Sequence, residues 1–211
     1  MPTLYQDPRS GNCYKCTLTA AHLGKPLHTI NIDVMSGMTR QQAFLARNPN
    51  GRVPTLELDD GTCLPESNAI IWYLAEGSTL IPTDPLERAQ MLQWMFFEQY
   101  SHEPYIAVAR FWLAFVPEER RKERIHMLPE WHARGYAALG VMETHLQDRN
   151  WFAGKDLSLA DIALYAYTHC AADGGFSLQD YPRVRAWISR VETMRGFTPM
   201  MRPETIVQSQ M

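Results

Sequence analysis

The side chains best suited to chemistry near the start of the chain lie in the stretch SGNCYKC, residues 10–16. Cys13 and Cys16 have the C-x-x-C spacing, which beside a βαβ pattern is typical of an intracellular redox pair. Ser10 precedes a helical pattern, and Asn12 lies between the serine and the cysteines. A hydroxyl or an amide N–H at a helix start can stabilise an anion. The stretch therefore leaves the cysteine pair, Ser10 and Asn12 as candidates.

The composition predicts a soluble globular protein. The chain has 211 residues, of which 45% are hydrophobic and 20% charged, enough for one large domain or two small ones. The net charge of −3 gives no general attraction for nucleic acid or an anionic membrane. We see no leader peptide or bilayer-spanning run, and the four scattered cysteines suggest neither a disulfide framework nor a metal site. We therefore expect a cytoplasmic protein with no metal, nucleic-acid or membrane partner.

Strand and helix patterns alternate over residues 1–77 in the order β-α-β-α-β-β-α. The strand-like runs TLYQ and PLHTINID flank a helical pattern that stops at Gly24, a residue suited to a helix C-cap. A short helical pattern, TRQQAFLARNPNG, precedes a hairpin whose turn is Asp60-Gly61, and SNAIIWYLAEG predicts a third helix. These small elements predict one layered α/β domain.

Only helical patterns follow Pro82 and Pro85, which mark a linker over residues 78–85. Four helical segments are predicted from there onward, and the long first one is expected to bend before Pro104. The sequence thus predicts an all-helical domain over residues 86–211.

Pro54 lies directly before the β-type run TLEL. A proline there gives up a ladder hydrogen bond, so it either lies on an ordinary edge strand or follows a cis peptide bond. In the second case the backbone of Val53 is left to pair with an extended peptide, which would add like another strand. The local sequence alone favours the edge strand.

Ser67 begins an apolar helix, where a serine is a good N-cap. The same position can hold a substrate carboxylate on its hydroxyl and amide, while Glu66 accepts from a substrate ammonium. The pair therefore suits the amino-acid end of a peptide. Further along, Ser158 and Asp161 have the spacing of a capping box, which we interpret as structural.

The segments NGRVPTL, ESNAIIWYLA and SLADIALYAY resemble, in order and spacing, the motifs of the glutathione S-transferase family. The two-part organisation extends this resemblance over essentially the whole chain, and the stretch around Ser10 is similar to bacterial and fungal members near the theta and nu groups. The resemblance implies a thioredoxin-like N-terminal domain, an all-α C-terminal domain, glutathione as co-substrate and a homodimer.

The resemblance also implies roles for five residues of this chain in binding glutathione. The backbone of Val53, ahead of a cis Pro54, would pair with the cysteinyl backbone. Glu66 and Ser67 would hold the γ-glutamyl ammonium and carboxylate. Arg52 would form a charge-assisted bond with the glycyl carboxylate.

Conjugation requires the glutathione thiolate, because the thiol is a poor nucleophile. Ser10 is the first candidate to stabilise it, since Ser10-x-x-Cys13 is similar to the theta-like pattern; Asn12 is the second candidate, and Cys13 the third. In tyrosine-type relatives a phenol near the end of the first strand has this role. Tyr5 lies near that position in this chain, but we expect it in the core. In the thioredoxin pattern the reactive cysteine occupies the position of Ser10, so we expect Cys13 and Cys16 to be buried packing residues.

The electrophile site is expected between the loop after the first strand and the long helix, with Tyr105, Arg110 and Phe111 as candidates. Aromatic residues at helical spacing are more often core than ligand wall. His102 has no matching carboxylate or cysteine, and we expect it on the surface.

The leading interpretation is therefore a detoxifying transferase that adds glutathione to a small hydrophobic electrophile. Two alternatives stay open. Cys13 and Cys16 motivate a glutathione-dependent disulfide or peroxide reductase, and a non-catalytic interaction module would bind no glutathione at all.

Overall fold

The computed structural model describes residues 1–201, which form two compact units. The first unit contains residues 1–78 and the described residues from Arg195 onward, and the second is Thr79–Met194. His22 Nδ1 lies 2.9 Å from the Arg195 carbonyl oxygen, so the chain returns to the first unit after the helical one. The boundary predicted for the helical domain therefore extends too far.

The linker predicted at residues 78–85 is largely part of the second unit. Leu80 and Ile81 are buried, and the Leu80 carbonyl accepts a hydrogen bond of 3.1 Å from the Leu159 N–H. Pro82 and Pro85 suggested a spacer, but the apolar pair just before them, Leu80 and Ile81, is buried in the core.

The first unit is a mixed sheet with helices. Its elements are β1 Thr3–Gln6, α1 Gly11–Leu23, β2 His28–Asn31, α2 Gln42–Leu45, β3 Thr55–Glu57, β4 Cys63–Pro65 and α3 Ser67–Ala75, with 3₁₀ turns at Val34–Ser36 and Met38–Arg40. The strand order is β2-β1-β3-β4, with β1 parallel to β2 and antiparallel to β3, and β4 antiparallel to β3. This is the thioredoxin-like arrangement that the resemblance implies.

Local chemistry sets the ends of these elements. Gly24 ends α1 at φ +62°, and its N–H bonds to the carbonyls of Ala20 and Ala21, as the predicted glycine cap requires. The helix predicted at residues 39–51 is reduced to the four residues of α2, because Gln41 has an extended backbone and separates it from the preceding 3₁₀ turn.

The second unit is helical. Its elements are α4 Pro85–Phe97, α5 Glu103–Arg110, α6 Glu118–Arg121, α7 Leu128–His145, α8 Leu159–Thr168 and α9 Pro182–Glu192, with π-helical segments at Glu98–His102 and Phe111–Phe115 and 3₁₀ turns at Ile125–Met127 and Ala171–Gly174. Pro104 lies in the first turn of α5, where its missing N–H is tolerated. No helix among residues 1–201 is both long and apolar enough to cross a membrane.

The buried helix α8 begins at the predicted capping box. Ser158 donates to Asp161 Oδ2 from its backbone N–H at 3.0 Å and from its hydroxyl at 2.8 Å. Asp161 Oδ1 accepts from the Phe152 N–H at 3.1 Å and from Trp187 Nε1 at 3.0 Å. The carboxylate therefore ties the preceding loop and α9 to the start of α8.

His102 is fully buried, so the expectation of a surface histidine is wrong. Its Nε2 lies 2.9 Å from Thr168 Oγ1 at the end of α8, and that hydroxyl donates to the Leu164 carbonyl at 2.7 Å. The partner lies 66 residues away in sequence, beyond what local spacing can reveal.

Candidate functional site

One edge of the sheet gathers the residues that the sequence singles out. Tyr5 pairs with Thr55, and Thr55 pairs with Pro65, so the end of β1, the start of β3 and the end of β4 lie side by side. Ser10 follows the end of β1 closely, Val53 precedes β3, and α3 begins just after β4. Three segments far apart in sequence therefore meet at this edge.

A buried carboxylate fixes the loop that carries Ser10. Asp7 accepts from Arg9 through the backbone N–H at 3.0 Å, Nε at 2.9 Å and Nη2 at 2.7 Å, and from the Val34 N–H at 3.3 Å. Arg9 Nη2 also lies 2.7 Å from Asp33 Oδ1. These bonds hold the loop before α1 to the segment after β2.

Ser10 is the N-cap of α1. Its Oγ accepts a hydrogen bond of 3.4 Å from the Cys13 N–H, and its own N–H donates to the Asp7 carbonyl at 2.9 Å. The Ser10 side chain is half-buried. The structure describes all of α1, and its first turn contains no acidic residue. Because the Ser10 oxygen accepts from the helix, its hydrogen can be donated to an anion at the positive end of α1.

Asn12 contacts the start of the next helix in the site. Ser67 Oγ donates to Asn12 Oδ1 at 3.3 Å, which turns the Asn12 amide nitrogen away from Ser67. Ser67 is buried and is the first residue of α3, whereas Glu66 holds the N-cap position without a side-chain cap bond. The predicted N-cap role of Ser67 is therefore wrong, since its hydroxyl bonds to α1.

Glu66 has an unusual backbone. Its φ of +72° lies in a region that residues other than glycine rarely adopt. Strain of this kind collects at binding and catalytic sites. Its side chain is exposed and forms no hydrogen bond or ion pair within residues 1–201, so the carboxylate can accept from a ligand.

The Val53–Pro54 peptide bond is cis. Within residues 1–201 neither the N–H nor the C=O of Val53 has a hydrogen-bond partner, although the residue is half-buried. The neighbouring Arg52 carbonyl accepts from Asn48 Nδ2 at 2.8 Å and from Thr55 Oγ1 at 3.2 Å, while the Arg52 side chain is exposed. The turn thus presents a backbone donor and acceptor beside an exposed cation.

Cys13 and Cys16 are free and have no exposed surface. Burial raises the pKa of the Cys13 thiol to about 12 and that of Cys16 well above its usual value. Both are thus neutral thiols near pH 7, and the interpretation as packing residues is confirmed. Within residues 1–201 no cluster of three His, Cys, Asp or Glu side chains could hold a metal ion.

Tyr5 is committed to the sheet. Its hydroxyl donates to Glu57 Oε2 at 2.8 Å, and the Arg47 guanidinium lies 5.0 Å from its ring centroid and 2.9 Å from the same carboxylate. Burial, helped by the hydrogen bond to Glu57, raises its pKa. Tyr5 is only partly buried, so it does not lie in the core as expected, but its hydroxyl is already bonded to Glu57.

Arg110 has a structural environment. Its side chain is buried, its Nε lies 3.0 Å from Asp173 Oδ2, and its guanidinium lies 4.8 Å from the Phe115 ring centroid. The ion pair ties α5 to the Ala171–Gly174 turn. The structure therefore does not support Arg110 as a wall of the electrophile site, because its guanidinium is buried and forms an ion pair with Asp173.

The other two electrophile candidates have different neighbours. Tyr105 lines a cavity of about 270 Å³ with Arg134, whose guanidinium lies 5.7 Å from the tyrosine ring centroid. Phe111 makes an edge-to-face contact with Trp112 at 6.2 Å. Both remain predictions.

Sequence reasoning missed Lys15. This side chain has no exposed surface, and its Nζ lies 3.5 Å from Ser67 Oγ and 3.4 Å from Asn68 Oδ1. A signal was present, since Asn12, Lys15 and Thr19 form a polar stripe at helical spacing in a helix whose other residues are mostly apolar.

Both units match models of one family. Residues 9–76 match the glutathione S-transferase N-terminal domain, and residues 105–194 match the glutathione S-transferase C-terminal domain. The crystal structure of a glutathione S-transferase from Pseudomonas fluorescens Pf-5 is 52% identical, with a TM-score of 0.89, and the match covers 95% of this chain and 99% of that one.

Curated relatives differ in how much of their length this chain spans. Maleylacetoacetate isomerase of Pseudomonas aeruginosa is 31% identical over 209 residues, or 94% of this chain and 93% of that protein. Elongation factor 1-gamma of Artemia salina is 31% identical over 177 residues, which is 79% of this chain but 39% of the factor. The fold, the ordered motifs and these full-length matches show that the chain belongs to the glutathione S-transferase family.

Proposed function

We propose that this protein is a glutathione transferase that binds glutathione at the sheet edge of its first unit and adds it to a small hydrophobic electrophile. Glutathione is the substrate of its family. The observation that carries the proposal is the register of β1, β3 and β4, which puts Ser10, Val53 and Ser67 at one edge. An extended tripeptide with a charge at each end suits that edge.

Each part of glutathione has a proposed partner there. The Val53 N–H and C=O pair with the cysteinyl backbone, as an added strand would. Glu66 accepts from the γ-glutamyl ammonium, and Ser67 at the positive end of α3 holds the adjacent carboxylate. Arg52, with its exposed guanidinium, binds the glycyl carboxylate.

In the chemical step, the proposed donor is Ser10. Its hydroxyl donates to the cysteinyl sulfur, lowers the thiol pKa and releases the S–H proton to solvent. The thiolate then forms an S–C bond with the electrophile, and a leaving group such as chloride departs with the bonding electron pair. Asn12 is the second candidate donor, through its amide N–H.

Titration calorimetry with glutathione tests the binding, and conjugation of a chloronitrobenzene tests the reaction. We expect the wild type to do both, and Ser10→Ala to bind glutathione but conjugate it more slowly. Absence of binding would favour the non-catalytic interaction module. If Ser10→Ala and Asn12→Ala both conjugate glutathione at the wild-type rate while still binding it, the proposed mechanism is ruled out.

Other glutathione chemistry is tested on the same protein. The isomerase relative makes maleylacetoacetate a second substrate to assay, since this chain covers nearly all of that enzyme. For disulfide or peroxide reduction, a role for protein sulfur is disfavoured by the buried thiols. Reductase turnover that survives Cys13→Ser would assign the reduction to glutathione.

The proposal includes a cytoplasmic homodimer. Four free cysteines suit a reducing compartment. Phe96 and Tyr100 are 70% and 84% exposed, and Tyr100 lines the cavity of about 270 Å³ that also contains Tyr105. Such exposed aromatic residues are typical of interfaces. Analytical ultracentrifugation should show that the wild type is a dimer and that Tyr100→Glu is a monomer. The control Ile125→Glu, at another exposed position of the second unit, should remain a dimer.

A further inference from the structure

The second unit contains a cavity of about 450 Å³ between α4, the end of α7 and the loop of residues 146–158 that joins α7 to α8. We call it the α4–loop cavity. The polar side chains that line it are Glu87, Gln90, Gln93, His145, Arg149 and Lys155. All of its lining residues belong to the second unit, whereas the residues proposed to bind glutathione belong to the first. A cavity of this size can hold a small ligand.

Buried aromatic residues hold the walls of the α4–loop cavity in place. Trp94 and Trp151 are 7% exposed and Phe152 is 1% exposed. The ring centroids of Trp94 and Phe152 lie 4.7 Å apart, and the Phe152 N–H donates to Asp161 Oδ1 at 3.1 Å. The carboxylate of the capping box therefore anchors the loop, so that the cavity is formed before a ligand arrives. Because the three rings are buried, the cavity offers a ligand little apolar surface.

The charges around the cavity do not satisfy one another. Glu87 is half-buried and Arg149 and Lys155 are exposed, yet within residues 1–201 none of these side chains forms a hydrogen bond or an ion pair. Gly154 has a φ of +65°, and a Cβ there would lie 3.2 Å from Glu87 Oε2, so the glutamate lies against the loop without bonding to it. Burial, helped by the charge of Arg149, lowers the pKa of His145, so this ring adds no charge near pH 7. One acidic and two basic side chains are thus left to a ligand.

These charges define the class of ligand. Glu87 would repel a simple anion, and Arg149 and Lys155 would repel a simple cation, whereas a molecule with both an ammonium and a carboxylate meets opposite charges. A hydrophobic ligand would desolvate the charges without pairing them. Gln90 and Gln93 each donate and accept hydrogen bonds, which suits a peptide group between the two ends of the ligand.

We propose that the α4–loop cavity binds a short polar peptide with free termini, whose ammonium lies at Glu87 and whose carboxylate lies at Arg149 and Lys155. This inference does not depend on the proposed binding of glutathione in the first unit.

Calorimetry with triglycine on the full chain tests the inference, together with two blocked forms of the peptide. N-acetyl-triglycine lacks the ammonium, and triglycinamide lacks the carboxylate. We expect the wild type to bind triglycine about five- to tenfold more tightly than either blocked form. Equal affinity for all three forms would overturn the inference, and this comparison needs no substitution.

Two variants place the ends of the peptide. Glu87→Gln should weaken triglycine and triglycinamide about fivefold and leave N-acetyl-triglycine unchanged. Lys155→Gln should weaken triglycine and N-acetyl-triglycine by a similar factor and leave triglycinamide unchanged. Glu119→Gln and Lys122→Gln are the matched controls, since they remove the same charges at exposed positions outside the cavity, and they should change none of these affinities.

The outcomes separate this cavity from other sites. If Glu87→Gln and Lys155→Gln weaken all three ligands equally, or weaken none, the peptide does not lie in the cavity and the inference is wrong. A wild type that does not bind triglycine would also overturn it, while leaving the proposed glutathione site untouched. In analytical ultracentrifugation both variants should associate as the wild type does. A change of oligomeric state in either variant would assign the cavity to a contact between subunits and overturn the inference.

Discussion

The Ser67 hydroxyl donates to Asn12 Oδ1 across 3.3 Å, and this contact joins the starts of α1 and α3. One helix start is the proposed site of the glutathione thiolate, and the other that of the γ-glutamyl carboxylate. A carboxylate that binds Ser67 competes with Asn12 for a single hydroxyl hydrogen. In the proposed site, binding of the carboxylate at one end of glutathione would therefore change the orientation of the Asn12 amide.

Asn12→Asp separates the two roles of that amide. The aspartate keeps an oxygen for Ser67 to donate to, but it has no N–H and brings a negative charge toward the sulfur. We expect kcat for conjugation to fall about tenfold and the pH of half-maximal rate to rise. Asn31→Asp is the control, because the Asn31 side-chain oxygen accepts from Gln6 Nε2 at 3.2 Å within the sheet, and neither residue belongs to the proposed sulfur site. An unchanged pH profile in Asn12→Asp would limit Asn12 to holding Ser67.

Ser10 has both a structural and a proposed chemical role, and Ser10→Asp distinguishes them. An aspartate still accepts from the Cys13 N–H, so the helix cap and the melting temperature should be preserved. It cannot donate to sulfur at neutral pH, so we expect the conjugation rate to fall about 100-fold. Ser10→Thr, which keeps the hydroxyl, should retain most of the activity. A fast Ser10→Asp variant would exclude hydroxyl donation.

The exposure of the four cysteines predicts the order in which they react with a thiol reagent. Cys63 is partly exposed, whereas Cys13, Cys16 and Cys170 are buried. Burial raises the pKa of Cys13 to about 12, so its thiolate is scarce at neutral pH. The native protein should show one fast thiol, which Cys63→Ser removes, and the others should react only after unfolding. A second fast thiol in Cys63→Ser would reopen the redox interpretation of the C-x-x-C stretch.

The local parts of the fold could be predicted because each depends on a few adjacent residues. Gly24 ends α1, Asp60-Gly61 turns the hairpin, and Ser158 with Asp161 begins α8, as their side chains and backbone freedom require. The fold class followed from the order of such elements, without any knowledge of their packing.

The environments of individual site residues could not be predicted, because they depend on partners far along the chain. Lys15 and Ser67 are 52 residues apart, and Arg110 and Asp173 are 63 apart. Helical spacing shows which face of a helix a residue occupies, but not whether that face meets solvent, a carboxylate or another helix start. For this reason Lys15 was missed and Arg110 was expected in a ligand pocket.

Asp161 should contribute strongly to stability. Asp161→Ala leaves the donors of Phe152, Ser158 and Trp187 buried without their acceptor. We expect the free energy of unfolding to fall by about 3 kcal/mol in urea titrations at neutral pH. Thr193→Ala, which removes an exposed hydroxyl bonded to the Arg190 carbonyl, should cost well under 1 kcal/mol by the same measurement. Similar losses in both variants would show that the buried network contributes little.

The same carboxylate should make stability depend on pH in an unusual direction. Burial raises the pKa of Asp161 from 3.8 to about 6, against the opposing effect of its hydrogen bonds. The folded protein therefore binds this proton more tightly than the unfolded chain, and the contribution of Asp161 to stability falls as pH rises from about 4 to about 6. The shift corresponds to ~3 kcal/mol, so the stability gap between wild type and Asp161→Ala should widen by about that amount on going from pH 7 to pH 4. Because other groups titrate equally in both proteins, the gap isolates Asp161. A gap that narrows on acidification would mean that the hydrogen bonds outweigh burial and hold the pKa below its usual value.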